Sequence, residues 1–173
     1  MNLFDYVISK PVISYEVYAG QFLALTEGLQ ELHSREIVHR DIKPENILVV
    51  GERWVLADFG LCSHCSSIKS TTDITEPEEM LGPRYWMSPE GSNRLVDKSI
   101  MPSYASDIYQ LASVFWFVIN RTIPVGIIDE GDWRVPERNF TKLILKALFH
   151  DSIKRPSDAK VLCDEIKKII YAE

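Results

Sequence analysis

A chain of 173 residues, 46% hydrophobic and 25% charged, has the length of one domain and enough apolar material for a core, which excludes intrinsic disorder as its default state. A formal net charge of −6 gives no electrostatic basis for binding nucleic acid, and the longest apolar run, Leu111 to Ile119, is interrupted by Ser113 and too short to span a bilayer. Three cysteines (Cys62, Cys65 and Cys163) make no disulfide framework, and Asp5 stands where a secretory leader needs a basic residue; the expected setting is a reducing cytoplasm with no membrane or nucleic-acid partner.

In chain order, Tyr18, Phe22, Leu25, Leu29 and Leu32 recur at spacings of three and four and predict an amphipathic helix over about residues 14–34. Ile47 to Val50 and Trp54 to Ala57 flank Gly51 and predict a short hairpin, the one place where the sequence carries a strand signal. The stretch from Ser63 to Pro83 is rich in Ser, Thr, Glu and Pro, has no clean period, and reads as a long loop. Ile108, Leu111, Ala112, Phe115, Trp116 and Ile119 predict a second helix, opened by Ser106 and Asp107; its intervening residues are apolar too, so it is expected to be buried on all sides. Leu143, Ile144, Ala147 and Leu148 predict a third. Ala159, Leu162, Cys163, Ile166 and Ile170 predict the last, with Ser157 as its N-cap. The expected fold is mainly α, a helical bundle with one β-hairpin, in a single domain over residues 1–173.

The polar residues around the hairpin carry the chemical signal. Val38-His39-Arg40-Asp41-Ile42-Lys43-Pro44-Glu45-Asn46 precedes it, Asp58-Phe59-Gly60 follows it, and Ser88-Pro89-Glu90 closes the long loop. Each motif alone fits a turn with solvated charges. The three in this order resemble the signature set of the protein kinases, H-R-D-L-x-x-x-N, D-F-G and A-P-E. Phosphoryl transfer asks a protein mainly for positioning and charge neutralisation, and a loop carboxylate with two hard oxygen ligands is suited to that task.

The resemblance is to the C-terminal lobe of eukaryotic-like serine/threonine protein kinases, and it implies the roles. Asp41 is expected to accept the proton of the attacking hydroxyl, Lys43 to neutralise the transferring phosphoryl group, and Asn46 and Asp58 to hold Mg2+ on ATP. Leu48 is expected on the apolar floor beneath the adenine. Asp107 is expected to hydrogen-bond the backbone at His39 and Arg40, Glu90 and Arg155 to form an ion pair, and His39 to meet Phe59. Arg40 is expected to receive a phosphate on the loop, from Ser66, Ser67, Ser70, Thr71, Thr72 or Thr75. Met1 to Lys10 resembles the short helix that follows the interlobe hinge.

Two departures matter. Pro83 stands where serine/threonine kinases usually carry threonine, although Lys43-Pro44-Glu45 favours the serine/threonine class. Residues 1–40 contain only Gly20 and Gly28, and their one lysine, Lys10 in Val7-Ile8-Ser9-Lys10, lies too close to Asp41 for an ATP-gripping N-lobe to fit between. The expectation is therefore a C-lobe alone. It acts with an upstream or separate N-lobe on protein substrates, or it is a truncated lobe that binds or inhibits another kinase without activity of its own. Cys62 and Cys65 form a C-x-x-C pair, but no second pair completes a zinc site, so they read first as loop residues.

Overall fold

The computed structural model describes residues 1–64, 84–94 and 96–172. The described helices are α1 (Leu3–Ser9), α2 (Tyr15–Ser34), α3 (Pro89–Asn93), α4 (Tyr104–Asn120), α5 (Thr141–Ala147) and α6 (Ala159–Tyr171). The strands are β1 (Ile37–Val38), β2 (Ile47–Val50), β3 (Arg53–Leu56) and β4 (Ser63–His64). The mainly helical expectation fits this architecture.

Helix α4 forms the axis. Fourteen of its residues are buried, from Ser106 to Asn120 with Tyr109 the exception, so it has no solvent face. Against it α2 lays the predicted apolar stripe: Phe22 stacks on Phe115 with ring centroids 3.9 Å apart, and Phe140, just before α5, meets Phe22 edge-on at 5.5 Å. Helix α4 begins two residues earlier than the apolar period indicates, at Tyr104, because Ser103 and Ser106 exchange capping contacts there, Ser103 N–H donating to Ser106 Oγ at 3.2 Å. Helix α6 is capped by Asp158 rather than by Ser157: the Asp158 carboxylate accepts from Val161 N–H at 3.0 Å, while the Ser157 hydroxyl donates to that same carboxylate.

The hairpin pairs Ile47 with Leu56 through Val50 with Arg53, with Gly51 at φ 61° in its two-residue loop. Strand β3 lies one residue earlier than predicted, since Ala57 already belongs to the turn toward the second motif. A second pairing corrects the expectation of a single strand region: Ile37 and Val38 pair with His64 and Ser63. Two residues are too few for a period, and the partners are distant in sequence, so nothing local announces this ladder. The hairpin is fastened on both sides. Trp54 N–H donates to Gln21 Oε1 on α2 at 2.8 Å, and Val49 N–H donates to Met1 O at 2.8 Å beside the Asn2–Leu48 bridge. The loop before β2 meets the N-terminal part of α4 through Asp107.

Candidate active site

The loop between β1 and β2 is shaped by α4. Asp107 is fully buried, and a buried carboxylate must be satisfied by donors. Its Oδ1 accepts from Arg40 N–H at 2.8 Å, and its Oδ2 accepts from His39 N–H at 2.8 Å and from the His33 ring at 3.1 Å. His33 Nδ1 in turn accepts the Ala159 N–H at 3.1 Å, the first amide of α6. An imidazole nitrogen that accepts a backbone N–H carries no proton, which assigns a His33 proton to Nε2 as the donor to Asp107 Oδ2. One turn along α4, Gln110 accepts from Ile42 N–H and donates to Arg40 O, both at 3.1 Å. Arg40 is held at φ 74°, in the left-handed region.

The result is a fixed polar cluster. Asp41 Oδ2 accepts from Lys43 Nζ at 2.9 Å and from Asn46 Nδ2 at 2.7 Å, and Asn46 Nδ2 also donates to Asp41 O at 2.9 Å. With both amide protons engaged on Asp41, the Asn46 carbonyl oxygen is left as an acceptor. Ala57 N–H donates to Asn46 O at 2.9 Å, which sets Asp58, the next residue, at the same end of the hairpin as Asn46. Asp58 is exposed, stands at φ 60°, and accepts the Gly60 N–H at 3.3 Å. Among the described residues it shares no hydrogen bond with Asp41, Lys43 or Asn46. An amide carbonyl and an exposed carboxylate on one edge are hard oxygen donors of the kind Mg2+ takes. Leu48, two residues beyond Asn46 on β2, is 42% exposed.

Around this cluster, His39 is fully buried with its ring 5.4 Å from that of Phe59, and neither of its ring nitrogens has a hydrogen-bond partner among the described residues. Burial pushes the imidazole below its ordinary value of 6.5, against the opposing pull of Asp107 and Asp41. A folded value below the unfolded one means that full stability is present above about pH 6.5 and is lost as pH falls through the folded value. Urea midpoints measured down a pH series should therefore begin to fall below about pH 6.5, and His39→Phe should flatten that limb. An unchanged slope in the variant would remove His39 as its cause.

Cys62 Sγ lies 3.8 Å from His39 O, and burial pushes its thiol up to about 11, with Asp107 and Asp58 adding to the shift and Arg40 opposing it. Arg40 Nη1 reaches Ser63 Oγ at 3.5 Å. Cys65, Pro83 and the candidate phosphate acceptors Ser66, Ser67, Ser70, Thr71, Thr72 and Thr75 lie outside the described residues. Among the described residues no group of three or more His, Cys, Asp or Glu could hold a metal, and no helix is long and apolar enough to cross a membrane.

Glu90 and Arg155 form the predicted ion pair. Ser88 caps α3 by accepting Gly91 N–H, Pro89 occupies the first turn, and Glu90 takes Arg155 Nη1 at 2.7 Å and Nη2 at 2.9 Å. Ser106 Oγ adds a donor to Glu90 Oε1 at 2.8 Å. Behind the cluster a groove of about 520 Å³ runs between α2 (Gln21, Ala24, Leu32), β3 (Trp54, Val55) and Phe59. Sequence reasoning missed the roles of His33 and Gln110, and read Ser106 as a helix opener without its bond to Glu90. The signal for Gln110 was present, as an uncharged polar residue three positions after Asp107 on an otherwise apolar helix.

Comparisons with known proteins identify the family. The model of the protein kinase domain matches residues 1–170. A probable serine/threonine-protein kinase of Clostridium perfringens is 28% identical over 185 residues, covering 97% of this chain and 26% of its own length. The serine/threonine-protein kinase/endoribonuclease ire-1 of Caenorhabditis elegans is 35% identical over 134 residues, covering 72% of this chain and 13% of its own length. The activin receptor type-1C of Homo sapiens is 28% identical over 179 residues, covering 98% of this chain and 32% of its own length. The chain thus spans a third or less of each of these relatives. With the family model matched almost end to end over a buried carboxylate that pins the loop carrying Asp41, the chain belongs to the protein kinase family.

Proposed function

We propose that residues 1–173 form the C-terminal, catalytic lobe of a serine/threonine protein kinase, which passes the γ-phosphate of ATP to a hydroxyl group of a protein substrate. The observation that carries this reading is Asp41 Oδ2 held between Lys43 Nζ and Asn46 Nδ2 on a loop pinned by α4. In the step, the substrate oxygen bonds the γ-phosphorus as the bridging bond to the β-phosphate breaks, and the hydroxyl proton passes to Asp41. Lys43, already beside Asp41, stabilises the charge on the transferring group. Asn46 Oδ1 and the Asp58 carboxylate would hold Mg2+, which when bound neutralises charge across the phosphates. Leu48 would lie under the adenine. The other wall of the nucleotide site would come from a kinase N-lobe, upstream or on a separate chain, with the cytoplasm as the setting.

A second reading, a lobe that docks on another kinase without transferring phosphate, is favoured by the exposed apolar residues along the groove. Val55 is 47% and Phe59 52% exposed, a surface suited to a protein partner. One assay separates the two. Transfer from γ-labelled ATP to a protein substrate is measured for this chain, alone and supplied with a kinase N-lobe, with Asp41→Asn as the control. The chain alone should transfer weakly, the complemented chain strongly, and Asp41→Asn should lower that rate about 100-fold or more. Transfer indifferent to Asp41→Asn would sink the catalytic assignment. No transfer in either setting, with retained binding to a kinase, would favour the docking lobe.

A further inference from the structure

We infer that Gln110 is a positioning residue for the base, holding the Arg40–Asp41 peptide in the one orientation that directs the Asp41 carboxylate to Asn46 and Lys43. The inference rests on the reading of Asp41 as the proton acceptor and adds to it a residue that the motifs do not contain. Arg40 at φ 74° is a conformation that a residue with a side chain keeps only where its surroundings fix it. Asp107 fixes one side, taking the Arg40 N–H at 2.8 Å. Gln110 fixes the other: its Nε2 donates to Arg40 O, and its Oε1 accepts from Ile42 N–H, each at 3.1 Å. A single amide therefore grips the carbonyl before Asp41 and the N–H after it.

Asp107 and Gln110 stand three residues apart on α4, so they present both grips from one helix face. Were the Arg40–Asp41 peptide to rotate, Arg40 O would leave Gln110 and the Asp41 side chain would swing from Asn46. Gln110 is 6% exposed, so water is poorly placed to replace what it provides. A buried glutamine that merely satisfies itself is the plainer account, and it makes different predictions.

The test uses this chain and reads amides, so it needs neither nucleotide nor phosphate transfer; failure of the kinase reading and failure of this inference stay distinguishable. Gln110→Met keeps length and apolar packing and removes both hydrogen bonds. Its unfolding midpoint should fall, because the Ile42 N–H and Arg40 O are left buried without their partner. The Ile42 amide should exchange about tenfold faster than that fall alone produces. The Asn46 side-chain amide resonances should move as Asp41 shifts. Gln110→Glu keeps the acceptor for Ile42 N–H but sets a carboxylate against Arg40 O. It should retain Ile42 protection and still displace the Asn46 resonances. Asn46 resonances at their parental positions in both variants, or faster Ile42 exchange only in proportion to a fall in global stability, would overturn the assignment.

Discussion

Arg155→Ala should destabilise the fold by about 3–5 kcal/mol, the cost of stripping one partner from a buried pair. The Arg155 side chain is fully buried and that of Glu90 is 18% exposed. Arginine has five N–H donors, and Arg155 uses them in five bonds. Two go to Glu90, and the others reach Phe149 O at 2.6 Å, Ala105 O at 2.9 Å and His150 O at 2.9 Å. The guanidinium also lies over the Tyr109 ring at 4.9 Å. It therefore joins α3, the first turn of α4 and the segment after α5. Lysine has no fork to make these bonds, so Arg155→Lys should recover little of the loss.

The acid limb gives a second readout. Burial pushes the Glu90 carboxyl up, but the Arg155 guanidinium and the Ser106 hydroxyl more than offset it, and the folded value lies below the usual 4.5. Stability from this pair is present above about pH 4.5 and lost as pH falls through the folded value. In Arg155→Ala only the Ser106 hydroxyl and the Glu90 backbone contact still oppose burial, so the variant should lose less stability on acidification than the parent. Denaturant midpoints of parent and variant, compared from neutral pH downward, should converge; a constant gap would show that the pair's charge does not matter.

Asp107→Ala should cost at least as much, about 3–9 kcal/mol, by leaving three donors buried without an acceptor at roughly 1–3 kcal/mol each. Those donors are His39 N–H, Arg40 N–H and the His33 ring. Unlike Arg155, this residue holds the loop that carries Asp41. Asp107→Asn should already remove most of the benefit, because one arm of the amide must face an N–H as a donor. Stability by urea unfolding should fall in both variants, and amide exchange at His39 and Arg40 should rise well beyond the global change. If the loop amides stay protected in Asp107→Asn, Asp107 is not what holds the loop.

The site was legible where chemistry demands particular residue types at short spacing. Asp41, Lys43 and Asn46 fall within six residues, and the structure joins them by hydrogen bonds. Asp58 was legible as a motif, but its place beside Asn46 depends on the hairpin register, set by Ala57 N–H on Asn46 O. The helices were legible because apolar periods of three and four are local. What supports the site was not. His33 sits at the end of an amphipathic helix, where a histidine reads as one more polar residue, and only the arrival of α6 gives its Nδ1 a donor. Gln110 depends on a loop nearly seventy residues upstream, and the β1–β4 ladder joins two-residue strands across the hairpin. A first residue capable of capping, Ser157, was preferred over Asp158 because sequence alone does not say where the backbone turns helical.

The position of Cys62 has a consequence for its reactivity. With the thiol pushed up to about 11, only on the order of one molecule in ten thousand carries the thiolate at neutral pH. Alkylating electrophiles and peroxide act on the thiolate, so a cysteine two residues past the second motif, conspicuous in the sequence, is chemically quiet in the fold. Compounds designed to attach covalently at Cys62 would meet a thiol that stays protonated.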